Sequence, residues 1–349
     1  MLMIEEGCQQ SAKRCEQCTE TCKRLVATIQ DDKVGVLIAQ LGTPSAPTPK
    51  ALRRYLRQFL SDSRVIEVNR ILWWFILNCI ILVFRPKRSA RLYKRIWTEE
   101  GSPLLAISKR KISKMEKLLP NVEVVLGMRY GEPSLESAID SLLEKGCRSI
   151  ILFPEYPQYS ASTTGSTCDA VFARLQKERW VPTLKVVEPY YKSEPYIAAL
   201  AESINRQLAE ITPKPERLIL SYHGIPQRYS RNGDPYCCMC IETTNLLRPR
   251  INLPAENIIH CFQSRFGKEP WLQPYTDETI ERLAKDGIKH LAVACPGFVV
   301  DCLETIDEIG TEAEELFHEH GGEKLHALTC LNDEETWIRG CIELILKLK

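Results

Sequence analysis

The chain has 349 residues, 44% of them hydrophobic and 26% charged, which is enough for two domains with full cores and ordinary for a soluble globular protein. Its 46 Lys and Arg against 45 Asp and Glu exclude the global basic field expected of a nucleic-acid partner. The N-terminus, "MLMIEEGCQQSAKRCEQ", has no basic segment leading into an apolar run, so no export signal is predicted and a cytoplasmic address is expected.

The 15 cysteines are therefore read as thiols, metal ligands or small hydrophobes rather than a disulfide framework. Residues 1–30 form a polar extension in which Cys8, Cys15, Cys18 and Cys22 share one stripe if helical. That stripe is a narrow apolar face, a tail of reactive thiols, or a soft site for zinc or an iron–sulfur cluster.

From there on, strand-like apolar runs alternate with amphipathic helix-length segments. Strands are predicted at "VGVLIAQLG", "VEVVLGMRY", "SIILFPEY", "TLKVVEPY", "RLILSYHG", "IIHCFQSR", "HLAVACPGF" and "LHALTCL". Helices fall between them at 47–60, 133–145, 164–178, 194–210, 236–248, 275–286, 301–318 and 333–347. Such alternation predicts an α/β fold of parallel sheets covered by helices on both faces.

The sequence repeats itself. "LIAQLGTP" and "ILSYHGIP" both run a strand into Gly-x-Pro; "MRYGEPS" pairs with "SRFGKEPW", and "EKGCRSIILFP" with "KDGIKHLAVACP". Three matches in one order predict two related halves joined near 180–190, with Leu41 standing where the second half has His223. The first half carries the longer gap between its first two matches, and that gap contains "ILWWFILNCIILVF", residues 71–84. The stretch is too short to span a bilayer, which takes about 20 residues. Arg70 precedes it, and Arg85, Lys87 and Arg88 follow. It reads as a buried helix or as an inserted lip, with Trp73 and Trp74, beside an anionic ligand or membrane surface; its place in an insertion favours the lip.

No Gly-x-Gly-x-x-Gly or P-loop pattern occurs, so nucleotide fingerprints are missing. His223 ends a strand at Gly224-Ile225-Pro226, as a bonded turn histidine or as a group facing the crevice at the strands' carboxyl ends. After "HLAVACPGFVV", Asp301, Glu304 and Glu308 stand at i, i+3 and i+7, which on an α-helix is one face. Three carboxylates there are a solvated surface, a seat for a hard cation, or a proton relay. Tyr159, Trp271 and Phe298 lie just beyond strand ends, as walls for a flat apolar ligand or as core lids.

Together "LGTPSAPTPKALRRYLRQFLSDSRVIE", "GSPLL", "MRYGEPS", "PQYSASTTGS", "SYHGIP", "GDPY", "FQSRFG", "PWLQPYT" and "CPGFVVDCLETIDEI" resemble the ferrochelatase family from about residue 34 to 335. The resemblance implies two Rossmann-like, chelatase-type domains with parallel sheets around a porphyrin cleft. The first would span 31–182 with its lip at about 70–110. The second, 183–330, would carry His223 and Glu304, with a C-terminal helix at 331–349 packing back on the first. It implies a lyase that inserts Fe(II) into protoporphyrin IX, giving protohaem and two protons. No cofactor is required for that reaction, and Fe(II) is its substrate. His223 and Glu304 match the active-site pair that would meet the iron, Asp301 and Glu308 the acidic path, and Trp271 and Phe298 the pocket walls. Tyr159, Arg129, Trp73 and Trp74 complete the expected porphyrin contacts.

Where some members hold a 2Fe–2S cluster with a cysteine in the "PQYS-x-STTG" loop, this chain has Ala161, and it ends soon after Cys341. The expected partners are protoporphyrin IX and Fe(II), with peripheral membrane contact and a monomer or homodimer state. Two other readings stand beside this one. One is a related chelatase for another metal or porphyrin; the other is a non-catalytic tetrapyrrole carrier, which would not need His223 facing an acidic series.

Overall fold

The structure, a computed structural model, describes residues 33–349. The Cys8, Cys15, Cys18 and Cys22 segment lies outside the described residues. The described residues include eight strands: β1 (Val34–Gly42), β2 (Val122–Tyr130), β3 (Ser149–Pro154), β4 (Thr183–Val186), β5 (Arg217–His223), β6 (Ile258–Gln263), β7 (His290–Ala294) and β8 (Lys324–Ala327). They form two all-parallel sheets of identical order, β2-β1-β3-β4 and β6-β5-β7-β8.

Both central strands are buried on two faces, which is why they read as unbroken apolar runs. Val36, Leu37, Leu218, Ile219 and Leu220 have no exposed surface. Helices cover both faces, as the alternation predicted.

The internal repeat is a repeat of topology, with β1 corresponding to β5 and β3 to β7. One detail of the sequence pairing changes. The Met128 N–H donates to Pro133 O, and the Phe262 N–H donates to Pro274 O, so Pro274 rather than Pro270 is the counterpart of Pro133. The division at 182/183 also shifts, because β4 pairs with β3 in register Ser149↔Thr183 to Leu152↔Val186 and completes the first sheet. The C-terminal helix Glu335–Leu346 packs against the helices Glu194–Glu210 and Pro103–Leu118. Its Trp337 stands 5.6 Å from Tyr190 and 5.7 Å from Tyr196, ring centre to ring centre.

The insertion is a lip and not a core helix. Thr48 caps the helix Pro49–Leu60, and the Asn69 side chain accepts from the Ile71 and Leu72 N–H groups to start the helix Arg70–Phe75. A π-helical stretch, Ile76–Ile81, joins it to the helix Leu82–Ile96. Ile71, Leu72, Trp74, Phe75, Ile80, Val83 and Phe84 are exposed, whereas Leu77 and Leu82 anchor the underside.

Candidate active site

The carboxyl ends of both sheets open on one cavity of about 580 Å³, the size of a small-molecule site. Leu41 and His223, the pseudo-equivalent residues, both line it. The corner at His223 depends on Gly224: a Cβ there would stand 2.9 Å from Gln263 O and 3.1 Å from the Trp271 ring. Glycine lets Trp271 close over the strand end, where Ile225 O accepts from the Leu272 N–H.

His223 Nδ1 lies 2.6 Å from Gly224 O. A carbonyl only accepts, so Nδ1 carries a proton, and in the neutral imidazole the lone pair is then on Nε2. Phe298 stands 6.4 Å from the imidazole, ring centre to ring centre, and lines the cavity with Trp271.

The acidic segment folds differently from the expected α-helix. Glu304–Glu312 is π-helical, bonding i to i+5, so each turn holds more residues than the α-helix's 3.6. Glu304, Asp307, Glu308 and Glu312 line the cavity. Asp301, expected on the same face, does not. It is buried and accepts from Thr305 Oγ1 at 2.8 Å, the Cys330 N–H at 3.2 Å and Asn332 Nδ2 at 2.6 Å. These bonds tie the chain before the π-helix to the loop that follows β8.

Burial raises the Glu308 pKa above the usual carboxylate value, against the lowering effect of a hydrogen bond from Ser264 and the nearby His223. Cys302, also on the cavity wall, has its thiol pushed well up by burial and by the neighbouring Glu304 charge. Among the described residues, no three His, Cys, Asp or Glu side chains gather as a metal site.

The predicted porphyrin contacts divide. Trp73 reaches the cavity and donates from Nε1 to Leu60 O at 2.7 Å, whereas Trp74 next to it is 58% exposed. Arg129 lies off the cavity wall, tied to Asp62 at 2.5 Å and to Ser166. Tyr159 is likewise off the wall, its N–H donating to the thioether sulfur Sδ of Met239 at 3.3 Å.

Several wall residues went unpredicted. Tyr55, Tyr93, Tyr156, Gln158 and Glu155 come from the first half, and Arg85 from the lip. Arg85 forms no ion pair among the described residues, and burial followed by the nearby Arg88 lowers its pKa. Its signal in the sequence was the basic flank of the apolar stretch. Across the mouth, Arg228 pairs with Glu67 at 2.9 Å, Tyr229 Oη donates to Val65 O at 2.8 Å, and Arg95 pairs with Asp307 at 3.2 Å.

Two doubly wound halves that close on an apolar cavity, with one imidazole and a row of carboxylates on its wall, define a chelatase. Known proteins make the class specific. A profile of the ferrochelatase family matches residues 33–348. The chain is 53% identical over 309 residues to the ferrochelatases of Brucella canis and Brucella ovis, covering 87% of this chain and 88% of each of theirs. Its fold is similar to that of SirB from Bacillus subtilis, solved with Fe3+, at a TM-score of 0.55 over 90% of this chain and 95% of that one, with 12% identity. The chain belongs to the ferrochelatase family. It is an enzyme of haem synthesis that inserts Fe(II) into protoporphyrin IX.

Proposed function

We propose that His223 accepts the first pyrrole proton and that Glu304 meets the iron on the carboxylate side of the cavity. The tautomer carries this reading: with Nδ1–H bonded to Gly224 O, Nε2 is free to accept. Glu304, Asp307, Glu308 and Glu312 supply the hard oxygen donors that attract a divalent cation. Glu308, its pKa raised by burial, holds a proton more readily than an ordinary carboxylate and is suited to pass one on. Trp271, Phe298, Trp73, Tyr55 and Tyr93 are the walls for the flat macrocycle, and binding energy from such remote contacts can be spent on distorting it toward metallation. Arg85 offers an unpaired guanidinium to a propionate.

We read the lip as the contact with an anionic membrane surface. No helix among the described residues is long and apolar enough to cross a membrane. Residues 50–95 hold twelve Lys and Arg against Asp62 and Glu67, in a chain whose net charge is +1. An exposed apolar flank beside that local excess is what a peripheral lipid contact requires.

The deciding experiment is anaerobic incubation with Fe(II) and protoporphyrin IX, following the haem spectrum. His223→Ala is expected to lose metallation by about 100-fold or more while still binding porphyrin. Near-normal turnover in that variant removes His223 as the acceptor.

A further inference from the structure

Metallation releases two protons, and His223 accounts for one. The first half contributes a second ionisable group to the cavity wall. Glu155 directly follows β3, and its N–H donates to Ala39 O at 2.8 Å, so it stands at the carboxyl end of a strand beside the central β1. In the internal repeat it is the counterpart of Gly297, and both residues line the cavity. Each half thus offers a titratable side chain from a strand end, His223 from β5 and Glu155 after β3.

The Glu155 side chain is 1% exposed. Oε1 accepts from Lys111 Nζ at 2.7 Å, and the Lys111 side chain is equally buried. Oε2 is buried without a partner. The ammonium also stands 5.0 Å from the centre of the Trp337 ring. Burial works against its charge, yet Cys341 and Glu155 hold the Lys111 pKa above the ordinary lysine value.

A buried ion pair is a poor source of stability compared with well-packed apolar side chains, above all when a lone pair goes unfilled. An unsatisfied carboxylate oxygen in a residue that lines a ligand cavity calls for a donor from the ligand. An ionised carboxylate only accepts. The propionates of protoporphyrin would be repelled by it, and vinyl and methyl edges have no strong donor. The pyrrole N–H groups remain.

We propose that Glu155 receives the second pyrrole proton. The N–H bond breaks and its electron pair stays on nitrogen to form the bond to iron. The proton passes to Oε2, giving a neutral carboxyl group. Fe(II) brings two positive charges into the macrocycle, and the two protons leave on His223 and Glu155, so the charge balances. Passing that proton on to water restores the carboxylate and its pair with Lys111. This assignment rests on the reading of His223 as the first acceptor.

The test uses full-length protein with Fe(II) and protoporphyrin IX, single-turnover rates from haem absorbance, and porphyrin affinity from fluorescence. Removing Glu155 alone strands a buried lysine, so Glu155→Gln is combined with Lys111→Met. Expected are a wild-type melting temperature and affinity with a rate reduced about 100-fold. Formate should restore part of the rate to Glu155→Ala combined with Lys111→Met, and none to His223→Ala. A folded double variant turning over at the wild-type rate overturns the proposal, and so does a loss that formate leaves untouched. Retained turnover in His223→Ala would instead strike the reading of His223, an outcome separate from both.

Discussion

The Ser264 hydroxyl donates a 2.6 Å hydrogen bond to Oε2 of Glu308 from a backbone held at φ +66°. It joins the chain after β6 to the π-helix that carries Glu304. Asn332, at φ +51°, does the same for Asp301. These are the two non-glycine residues with positive φ among the described residues, and each holds a carboxylate of one short segment. A left-handed backbone without glycine costs about 1–3 kcal/mol and tends to persist at functional sites.

Replacing Ser264 with alanine removes a hydrogen bond that favours ionised Glu308. The Glu308 pKa, already raised by burial, should rise further. The acidic limb of the kcat/KM profile should therefore move to higher pH. Ser264→Gly relieves the backbone but also loses the bond, so it should show the same shift. An unmoved limb in both would mean that Glu308 does not titrate in turnover.

Glu304 and Asp301, three residues apart, should fail in different ways. Glu304→Gln keeps the shape and removes a charge from the cavity wall; it should slow metallation about 100-fold with little change in melting. Asp301→Ala strands Thr305, the Cys330 N–H and Asn332, and should destabilise the fold by about 3 kcal/mol. Urea unfolding and single-turnover rates on both proteins separate the two roles. A catalytic defect without destabilisation in Asp301→Ala would return it to the acidic path.

The contrast shows where sequence reading reached. The strands were legible because each is an apolar run of the length a doubly covered sheet demands, and β1 and β2 fall on the predicted residues. The strand-end position of His223 was legible because its strand stops at a glycine and a proline. Asp301 was misplaced because the predicted helix began at 301, whereas the π-helix starts at Glu304, and the Asp301 partner Asn332 lies 31 residues on. Arg129 lies off the wall because Asp62, 67 residues earlier, claims its guanidinium. Glu155 stood alone among apolar and aromatic neighbours in "LFPEYPQY", but its partner Lys111 is hidden in a lysine-rich helix 44 residues before it.

For the lip, exposure predicts a clean separation of docking from folding. Ile71, Leu72, Trp74 and Phe75 are 73%, 59%, 58% and 55% exposed, so serines there should change stability by only about 0.5 kcal/mol each. Co-sedimentation with vesicles containing anionic lipid should fall sharply, while turnover on detergent-dispersed porphyrin persists. Trp73→Ser should behave differently, since it loses the bond to Leu60 O and a cavity wall. Unchanged vesicle binding in the four-serine variant would remove the lip as the membrane contact.

The last expectation concerns pH and stability. His260 on β6 lies between Tyr222 and Phe262, at 4.9 and 4.8 Å between ring centres. Nδ1 meets Thr244 Oγ1 at 2.8 Å, and Nε2 is buried without a partner. Burial, with the nearby Arg248 charge, lowers its pKa from 6.5 to about 4. The folded state therefore resists a proton that the unfolded chain takes up, so stability is lost as pH falls from 6.5 towards 4. At pH 5 the loss should be about 2 kcal/mol relative to neutral pH. His260→Phe keeps an aromatic ring in the gap and leaves Thr244 its contact with Tyr222 Oη at 3.0 Å. Urea midpoints measured at pH 7 and pH 5 should lie closer together in that variant than in the wild type. An equal separation in both proteins would assign the acid sensitivity to other groups.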